Sequence, residues 1–239
     1  MLDLSKMKID NNKRHGAERL EIEWETHPLA FLERMAVRYT NIVGFTLITY
    51  DPYDGKYDDT TSDKEHIFIL AREIAAKGLE VLAKAFDDEL DVTLSSVVLT
   101  TEGEMHMQLI DCLLPTEAIL SKQYLGSGFY KHFEEKTGTS LENFELYYSG
   151  RSYHAYGPEL MTLDGWRDFN ARLLTLPDVE VDEYKGPLED FRWIGYRLFT
   201  GFSALRLSAV DKHYLQVPRS TLAVKAASDV QIADSDLPF

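Results

Sequence analysis

One segment of the sequence groups residues that together could bind a phosphate. It spans residues 149–154 (SGRSYH) and lies between two strand-like runs. A glycine turn exposes backbone N–H groups, and the side chains of Ser149, Arg151 and His154 could converge on an anion. Arginine suits a phosphate because its planar guanidinium donates two hydrogen bonds at once. The alternative is an ordinary hairpin turn with a solvated arginine and a histidine packed between tyrosines.

A second segment places a carboxylate at the end of an apolar, strand-like run. The run spans residues 107–111 (MQLID) and ends at Asp111. An acidic side chain at the end of a strand can hold a divalent metal at an open face of a sheet. The alternative is that Asp111 simply begins a turn.

The third segment, residues 188–218, combines an aspartate with several basic side chains. Asp190 lies next to a helical pattern that carries Arg192 and Arg197, and Arg206 lies inside the apolar run LRLS. An arginine in a buried strand destabilises the fold unless it meets an anion or a carboxylate. Arg206 is therefore a candidate binding residue, and the alternative is an internal ion pair with one of the many acids.

Composition excludes several other kinds of site. The sequence has no GxGxxG, Walker, HExxH, CxxC or GxSxG motif, and its single cysteine excludes a disulfide framework and a zinc site of several thiolates. The net charge of −15 argues against nucleic-acid binding over the whole surface. Residues 191–220 differ, because they carry five basic residues against Asp211 alone. Any contact with a polyphosphate should lie there.

Length and patterning predict one soluble α+β domain. The 239 residues have the 44% hydrophobic and 27% charged content of an ordinary globular protein. No apolar run approaches a membrane span and the start lacks the apolar stretch of a signal peptide, so we expect a cytoplasmic protein with no membrane partner. The expected organisation is an N-terminal arm (1–26), a single domain (27–220) and a C-terminal tail (221–239).

The order of the predicted elements favours α+β over a doubly wound sheet, because helices and hairpins mix without strict alternation. Helices are predicted at residues 27–39, 62–90, 116–136, 163–174 and 187–200. Strands are predicted at residues 43–50, 92–100, 105–114, 144–148, 153–156 and 203–208.

Taken in this order, the three segments resemble the archaeo-eukaryotic primase superfamily, the primase–polymerases. Members have an apolar strand ending in acidic metal ligands, a strand–turn of the type S-G-x-x-x-H, and an aspartate followed by a basic L-R-x-S strand and a proline. The corresponding residues here are 109–111, 149–154, Asp190, 205–208 and Pro218. The stretch 190–195 (DFRWIG) is most similar to bacterial members, which often accompany mobile elements or defence systems. The resemblance covers roughly residues 90–220.

The resemblance implies a primase-type catalytic core whose RRM-like, mixed or antiparallel sheet is flanked by helices. It implies nucleotidyl transfer from nucleoside triphosphates on a nucleic-acid template, with Mg²⁺ or Mn²⁺ as cofactor. Asp111 and Asp190 would be catalytic and would bind the metal. The residues that would bind the nucleotide phosphates or the template are Ser149, Arg151, His154, Arg206 and Lys212.

The first acidic motif of this sequence departs from the family pattern. Relatives usually carry two acids as D-x-D or D-x-E, whereas Asp111 is followed by Cys112 and Leu113. Glu104 could substitute only if its strand position reaches the site. Whether the chain is an enzyme is therefore open. The alternatives are a catalytically reduced relative that binds nucleotide or nucleic acid within a larger complex, a primase subunit whose partner grips the DNA, and an unrelated acidic interaction protein.

Overall fold

One antiparallel sheet of eight strands organises the protein. The computed structural model describes residues 27–50, 65–77, 91–114, 126–149, 152–181, 184–207 and 219–220. The strands are β1 (Ile42–Tyr50), β2 (Glu65–Leu70), β3 (Asp91–Thr100), β4 (Gly103–Cys112), β5 (Glu145–Tyr148), β6 (Tyr153–Met161), β7 (Val179–Val181), β8 (Tyr184–Gly186), β9 (Ala204–Arg206) and β10 (Arg219–Ser220). The main sheet has the order β10-β5-β6-β4-β3-β1-β2, with β9 also paired to β3, while β7 and β8 form a separate hairpin.

Five α-helices flank this sheet in the described part of the chain. They are α1 (Pro28–Arg38), α2 (Ala71–Lys77), α3 (Gly126–Thr137), α4 (Leu163–Leu173) and α5 (Phe191–Thr200). Every strand pair within the described ranges is antiparallel. The α+β prediction is therefore confirmed, and the mixed order of helices and hairpins was its correct basis.

The central strand β4 divides the core in two because its side chains alternate between the faces of the sheet. Met107 and Leu109 pack into one cluster, which includes residues of α1 and α2. Ile110 and Cys112 pack into the other, which includes residues of α3, α4 and α5. Asp111 continues the Met107–Leu109 alternation, at the end of the strand where the first cluster gives way to solvent.

The predicted helix over 62–90 is wrong at its beginning. Residues 65–70 form β2, which pairs with β1 from Glu65 opposite Thr49 to Leu70 opposite Gly44. A short apolar run fits either a strand or a helix, and here pairing with the edge of β1 decides the outcome. The helix α2 begins only at Ala71, and residues 78–90 lie outside the described ranges.

The remaining predicted elements agree with the structure except at some boundaries. The first helix, the helix before residue 174, the β3–β4 hairpin and the strands on either side of residue 150 are confirmed. The last helix begins at Phe191 instead of 187, because Asp190 is its N-cap. The helix predicted over 116–136 is described from Gly126 onward, and the β7–β8 hairpin was missed.

The division into arm, domain and tail stays a prediction. Residues 1–26 and 221–239 lie outside the described ranges. None of the helices described here is long and apolar enough to cross a membrane.

His27 ties the start of α1 to the strand region around β9. Its Nδ1 accepts a hydrogen bond from the Leu29 amide at 3.2 Å, so Nε2 carries the proton and donates to the Leu207 carbonyl at 3.2 Å. The ring is fully buried, and this burial lowers the pKa of His27 to about 4, although the bond to Leu207 opposes the shift. The folded protein therefore needs the neutral imidazole.

We expect the free energy of unfolding to fall as the pH drops from about 6.5 to about 4, because the unfolded chain takes up a proton that folded His27 refuses. The contribution is about 3 kcal/mol at 1.36 kcal/mol per pKa unit. Urea unfolding at a series of pH values checks this against His27→Asn, which keeps a capping oxygen but cannot be protonated. The exposed His66 provides the matched control, His66→Asn. An unchanged pH slope in His27→Asn would contradict the assignment.

Candidate functional site

The pairing of β4 with β6 brings Asp111 and His154 together. The two residues are directly opposite in the antiparallel register, and His154 Nε2 lies 3.8 Å from Asp111 Oδ1. The His154 side chain is 7% exposed and that of Asp111 is 34% exposed. The carboxylate is thus accessible to a ligand, while the histidine supports it from the protein interior.

A short stretch before α5 brings Asp190 to the same place. Cys112 forms an isolated antiparallel bridge with Glu189, and the Leu113 amide donates to the Leu188 carbonyl at 2.8 Å. In an antiparallel pair the next residues along each strand also lie opposite one another, which places Asp111 beside Asp190. The two predicted metal ligands, 79 positions apart in the sequence, are therefore neighbours.

Asp190 also begins the helix α5. Its Oδ1 accepts a hydrogen bond from the Arg192 amide at 2.8 Å, which satisfies one of the free N–H groups at the helix N-terminus. The Arg192 guanidinium lies 3.4 Å from Oδ2. A carboxylate has about four lone-pair positions, so these contacts leave room for a further ligand.

Two arginines balance the charge around Asp111. Burial and the neighbouring Asp190 raise the pKa of the Asp111 carboxyl to about 7, while Arg197 and Arg206 act in the opposite direction. Arg206 is buried, and its Nη2 donates to the Ser149 carbonyl at 2.7 Å. The result is a pair of carboxylates next to a pair of guanidinium groups, an arrangement that can bind a metal ion and phosphate oxygens together.

The sequence analysis assigned Arg197 to a helix but not to the site. Asp190, Ile194 and Arg197 follow the spacing i, i+4, i+7 and therefore share one face of α5. Ile194 is fully buried in the core, so this is the inward face. The helical spacing from Asp190 was the signal that could have identified Arg197.

His154 is a neutral group in this environment. Burial lowers the pKa of His154 to about 3, and the positive charge of Arg206 adds to the shift. At neutral pH the imidazole can therefore give or accept a hydrogen bond but contributes no positive charge. Any neutralisation of phosphate must come from the arginines.

The turn that carries Ser149 is closed by its own hydrogen bonds. The Ser149 amide and its Oγ both donate to the Ser152 carbonyl, at 2.8 and 3.0 Å. The Ser149 hydroxyl thus donates within its own turn, and its contact with a triphosphate stays a prediction; the Ser149 carbonyl contacts the site by accepting from Arg206. Arg151 and Lys212, the two other predicted phosphate ligands, lie outside the described residues.

Tyr156 is a further polar residue that the sequence analysis did not select. Burial raises the pKa of its hydroxyl well above the usual value; Tyr147 and Asp111 add to this and Arg206 opposes it. Its ring centroid lies 6.4 Å from that of His154. His154 and Tyr156 are two residues apart on β6, so their side chains lie on the same face of the sheet. Because side chains alternate between the two faces of a strand, the position of His154 could have identified Tyr156 from the sequence.

The comparison with protein families agrees with the motifs. A family model described as archaeo-eukaryotic primase 1D-like (AEP-like) matches residues 72–219, which is more than half of the chain. The chain belongs to this family. The match includes both carboxylates and the buried histidine and arginine of the site. No curated protein and no solved structure matches the chain.

The structure also bears on which acid could complete the first acidic motif beside Asp111. Glu104 cannot serve as the second acid, because it is exposed and seven residues from Asp111; its Oε1 lies 3.6 Å from His106 Nε2. Seven steps along a strand correspond to about 23 Å. Glu189 is adjacent to Asp190 but fully buried, and burial raises its pKa to about 8. It pairs with Cys112, which belongs to the core on the opposite face of the sheet.

The donor set fits one divalent metal ion of the type that the family uses. Within the described ranges no group of three or more His, Cys, Asp or Glu side chains is placed to hold a metal. Mg²⁺, however, is commonly bound through one or two carboxylates, with waters and substrate phosphates completing its octahedron. Asp111 and Asp190 provide that minimum. The residues do not form a metal cage that is complete without substrate.

Proposed function

We propose that this protein is a metal-dependent nucleotidyltransferase of the primase–polymerase type, which joins nucleotides from nucleoside triphosphates on a nucleic-acid template. The observation that carries this proposal is the approach of Asp111 to Asp190 with Arg206 and Arg197 beside them. Carboxylates for a metal next to guanidinium groups for phosphates are the two requirements of phosphoryl-group chemistry. Membership in the primase-like family supports the same reaction.

In the proposed reaction a 3′-hydroxyl oxygen forms a bond to the α-phosphorus, the bond from that phosphorus to the pyrophosphate oxygen breaks, and the hydroxyl proton passes to solvent. Mg²⁺ or Mn²⁺ would be held by Asp111 and Asp190 and would supply Lewis-acid chemistry at the phosphate. Arg206 and Arg197 stabilise the negative charge on the phosphate oxygens. His154, held neutral, orients Asp111 or donates a hydrogen bond to the nucleotide.

A second function is favoured by one specific observation, the single acid in the first motif. Because the described residues hold no group of three side chains placed to bind a metal, the protein would in this case be a reduced relative that binds nucleotide or nucleic acid in a larger complex. The similarity of residues 190–195 to bacterial members that accompany mobile elements or defence systems suits this alternative. The acidic surface, with a net charge of −15, equally suits a subunit whose partner grips the nucleic acid.

Binding of a nucleoside triphosphate, measured by calorimetry with and without Mn²⁺, tests the position of the site. We expect metal-dependent binding by the wild type and at least about 10-fold weaker binding by His154→Ala, because the substitution removes a hydrogen-bonding group beside Asp111. His66→Ala, at an exposed histidine, is the control and should bind normally. Thermal unfolding of both variants separates lost binding from lost structure.

The outcomes distinguish the two functions. Metal-dependent binding followed by primer synthesis on a template supports the enzyme. Binding without synthesis supports the reduced relative. If the wild type binds no nucleotide, the stand-alone enzyme is excluded, and a subunit that requires a partner is left.

A further inference from the structure

The outward face of α5 carries two aromatic side chains and an arginine, all of which are exposed to solvent. Tyr196 is 60% exposed and Phe199 is 79% exposed, and the Arg192 side chain is 87% exposed. Together with Gly195 these residues follow the spacing i, i+3, i+4, i+7, so they form one face of the helix. We call this set, Arg192, Gly195, Tyr196 and Phe199, the α5 outer face.

Most of the surface of the two aromatic side chains on this face is exposed. The opposite side of α5 already provides the packing, with Ile194 fully buried and Trp193 against both core clusters. Of the eight large apolar side chains that are most exposed in the described ranges, three belong to this one helix, including Phe191 at its first position. Grouped exposure of this kind marks an interaction surface, whereas single exposed apolar residues are normal.

Gly195 is the second notable feature of this face. It lies in the middle of α5, where glycine destabilises a helix relative to alanine. Apart from the helix's own backbone and the two neighbouring residues, a Cβ atom added at this position would meet no heavy atom within 4 Å, so packing does not require a glycine here. A bare backbone between Arg192, Tyr196 and Phe199 does allow a flat ligand to lie close against the helix.

The charge of this region indicates which ligand that is. Arg192 is the basic residue of this face, in a chain whose net charge is −15, while Arg197 and Arg206, the two other arginines of residues 191–207, lie on the side of Asp111. Arg192 has five N–H donors, and its contacts with Asp190 leave the others directed to solvent. Exposed aromatic rings combined with positive charge are the surface on which single-stranded nucleic acids bind, because every base has a face that can stack. The acidic surface of the rest of the protein repels phosphate, so a nucleic-acid strand would bind preferentially at this region.

The dimensions of the face also fit a nucleic-acid strand. From Arg192 to Phe199 the helix rises about 10 Å, the length of about three stacked nucleotides. Asp190 caps the N-terminus of α5. On the inward side of this helix, Arg197 lies towards Asp111. A strand on the outer face would thus lie about one helix diameter, about 10 Å, from the two carboxylates.

We propose that the α5 outer face binds single-stranded nucleic acid, with bases stacked on Tyr196 and Phe199 and a phosphate held by Arg192. The inference rests on the proposed function in one respect, namely that the bound strand is the template. Gly195 lets the strand lie against the helix backbone.

Fluorescence anisotropy with a labelled single-stranded thymidine 20-mer tests this directly, at low salt and without nucleotide or metal. The full chain is expected to bind the 20-mer, and the double variant Tyr196→Ala/Phe199→Ala to bind it at least about 20-fold more weakly. Phe68→Ala removes another half-exposed aromatic ring, on β2, and should bind as the wild type does. Arg192→Gln should lower the slope of log affinity against log salt by about 1.

Two further variants separate stacking from general hydrophobic contact. Tyr196→Leu/Phe199→Leu keeps the apolar area but removes the aromatic faces, and we expect it to weaken binding of the 20-mer as the alanine variant does. Gly195→Ala should bind nearly normally, whereas Gly195→Gln should weaken binding because its side chain would cover the backbone. Because all of these positions are exposed, the variants should unfold at about the wild-type temperature or, for Gly195→Ala, slightly above it.

Equal binding by the wild type and the double alanine variant would overturn the inference. So would the absence of 20-mer binding by a wild type that binds nucleotide at the carboxylate site, since the face would then be a protein-docking surface. Conversely, 20-mer binding that depends on Tyr196 and Phe199 in a protein that binds no nucleotide would support the inference while the proposed function failed.

Discussion

Asp111→Asn is expected to lower metal-dependent primer synthesis about 100- to 1000-fold, the range seen when one electrostatic contact to a reacting group is removed. The asparagine side chain has almost the same shape but carries no charge. Because the described residues give the site only two carboxylates, the loss of one leaves Asp190 alone to hold the metal. Primer extension with a labelled primer, at several Mn²⁺ concentrations, measures the effect.

The same substitution should leave the fold intact, which makes the result interpretable. Burial raises the pKa of Asp111, and the repulsion from the neighbouring Asp190 carboxylate raises it further. Removing one of the charges should therefore keep or raise the unfolding temperature. Asp164→Asn, at an exposed position on α4 that pairs with Arg167 at 3.5 Å, is the matched control and should retain activity. Normal synthesis by Asp111→Asn would remove this residue from the chemistry.

The sequence was sufficient for the parts of this site that lie on one regular element. Asp111 was selected as the acid that ends an apolar run and His154 as part of a glycine-turn segment, and both lie on strands. Alternation along a strand is a further property that a sequence shows directly. The same reasoning extends to Tyr156 and, with helical spacing, to Arg197. Tyr156 and Arg197 could therefore have been selected from the sequence, but they were not.

The approach of Asp190 to Asp111 could not be derived from local patterns. It depends on the bridge between Cys112 and Glu189, which joins chain segments that are far apart in the sequence. Only the resemblance to a known family suggested it. Local propensity likewise could not show that the Ser149 hydroxyl closes its own turn, because the geometry of that turn decides which acceptor it reaches.

The error over residues 65–70 has the same physical origin. The run from His66 to Leu70 is apolar and short, and nothing within it distinguishes a strand from the first turns of a helix. Its partner β1, more than fifteen residues earlier, provides the hydrogen bonds that fix it as a strand. Tertiary pairing overrides local preference where the preference is weak.

Arg206→Met is expected to weaken nucleoside-triphosphate binding at least about 100-fold, because it removes a desolvated charge from the phosphate side of the site. It should also lower the free energy of unfolding by about 2 kcal/mol, since the buried Ser149 carbonyl loses its charged donor. Arg206→Lys keeps the charge, but a single ammonium group cannot reproduce the planar fork that reaches the Ser149 carbonyl and a phosphate together. We expect about 10-fold weaker binding from it, with a smaller loss of stability.

Calorimetry of nucleotide binding and urea unfolding, carried out on both variants, separate the two roles of this arginine. The control is Arg172→Lys on α4, where an exposed arginine pairs with Asp168 at 2.6 Å, and it should leave binding unchanged. If Arg206→Lys is destabilised but binds nucleotide as the wild type does, Arg206 is only an internal structural charge. Nucleotide would then be held without the guanidinium group, and the role proposed here for Arg206, in the enzyme and in the reduced nucleotide-binding relative alike, would be wrong.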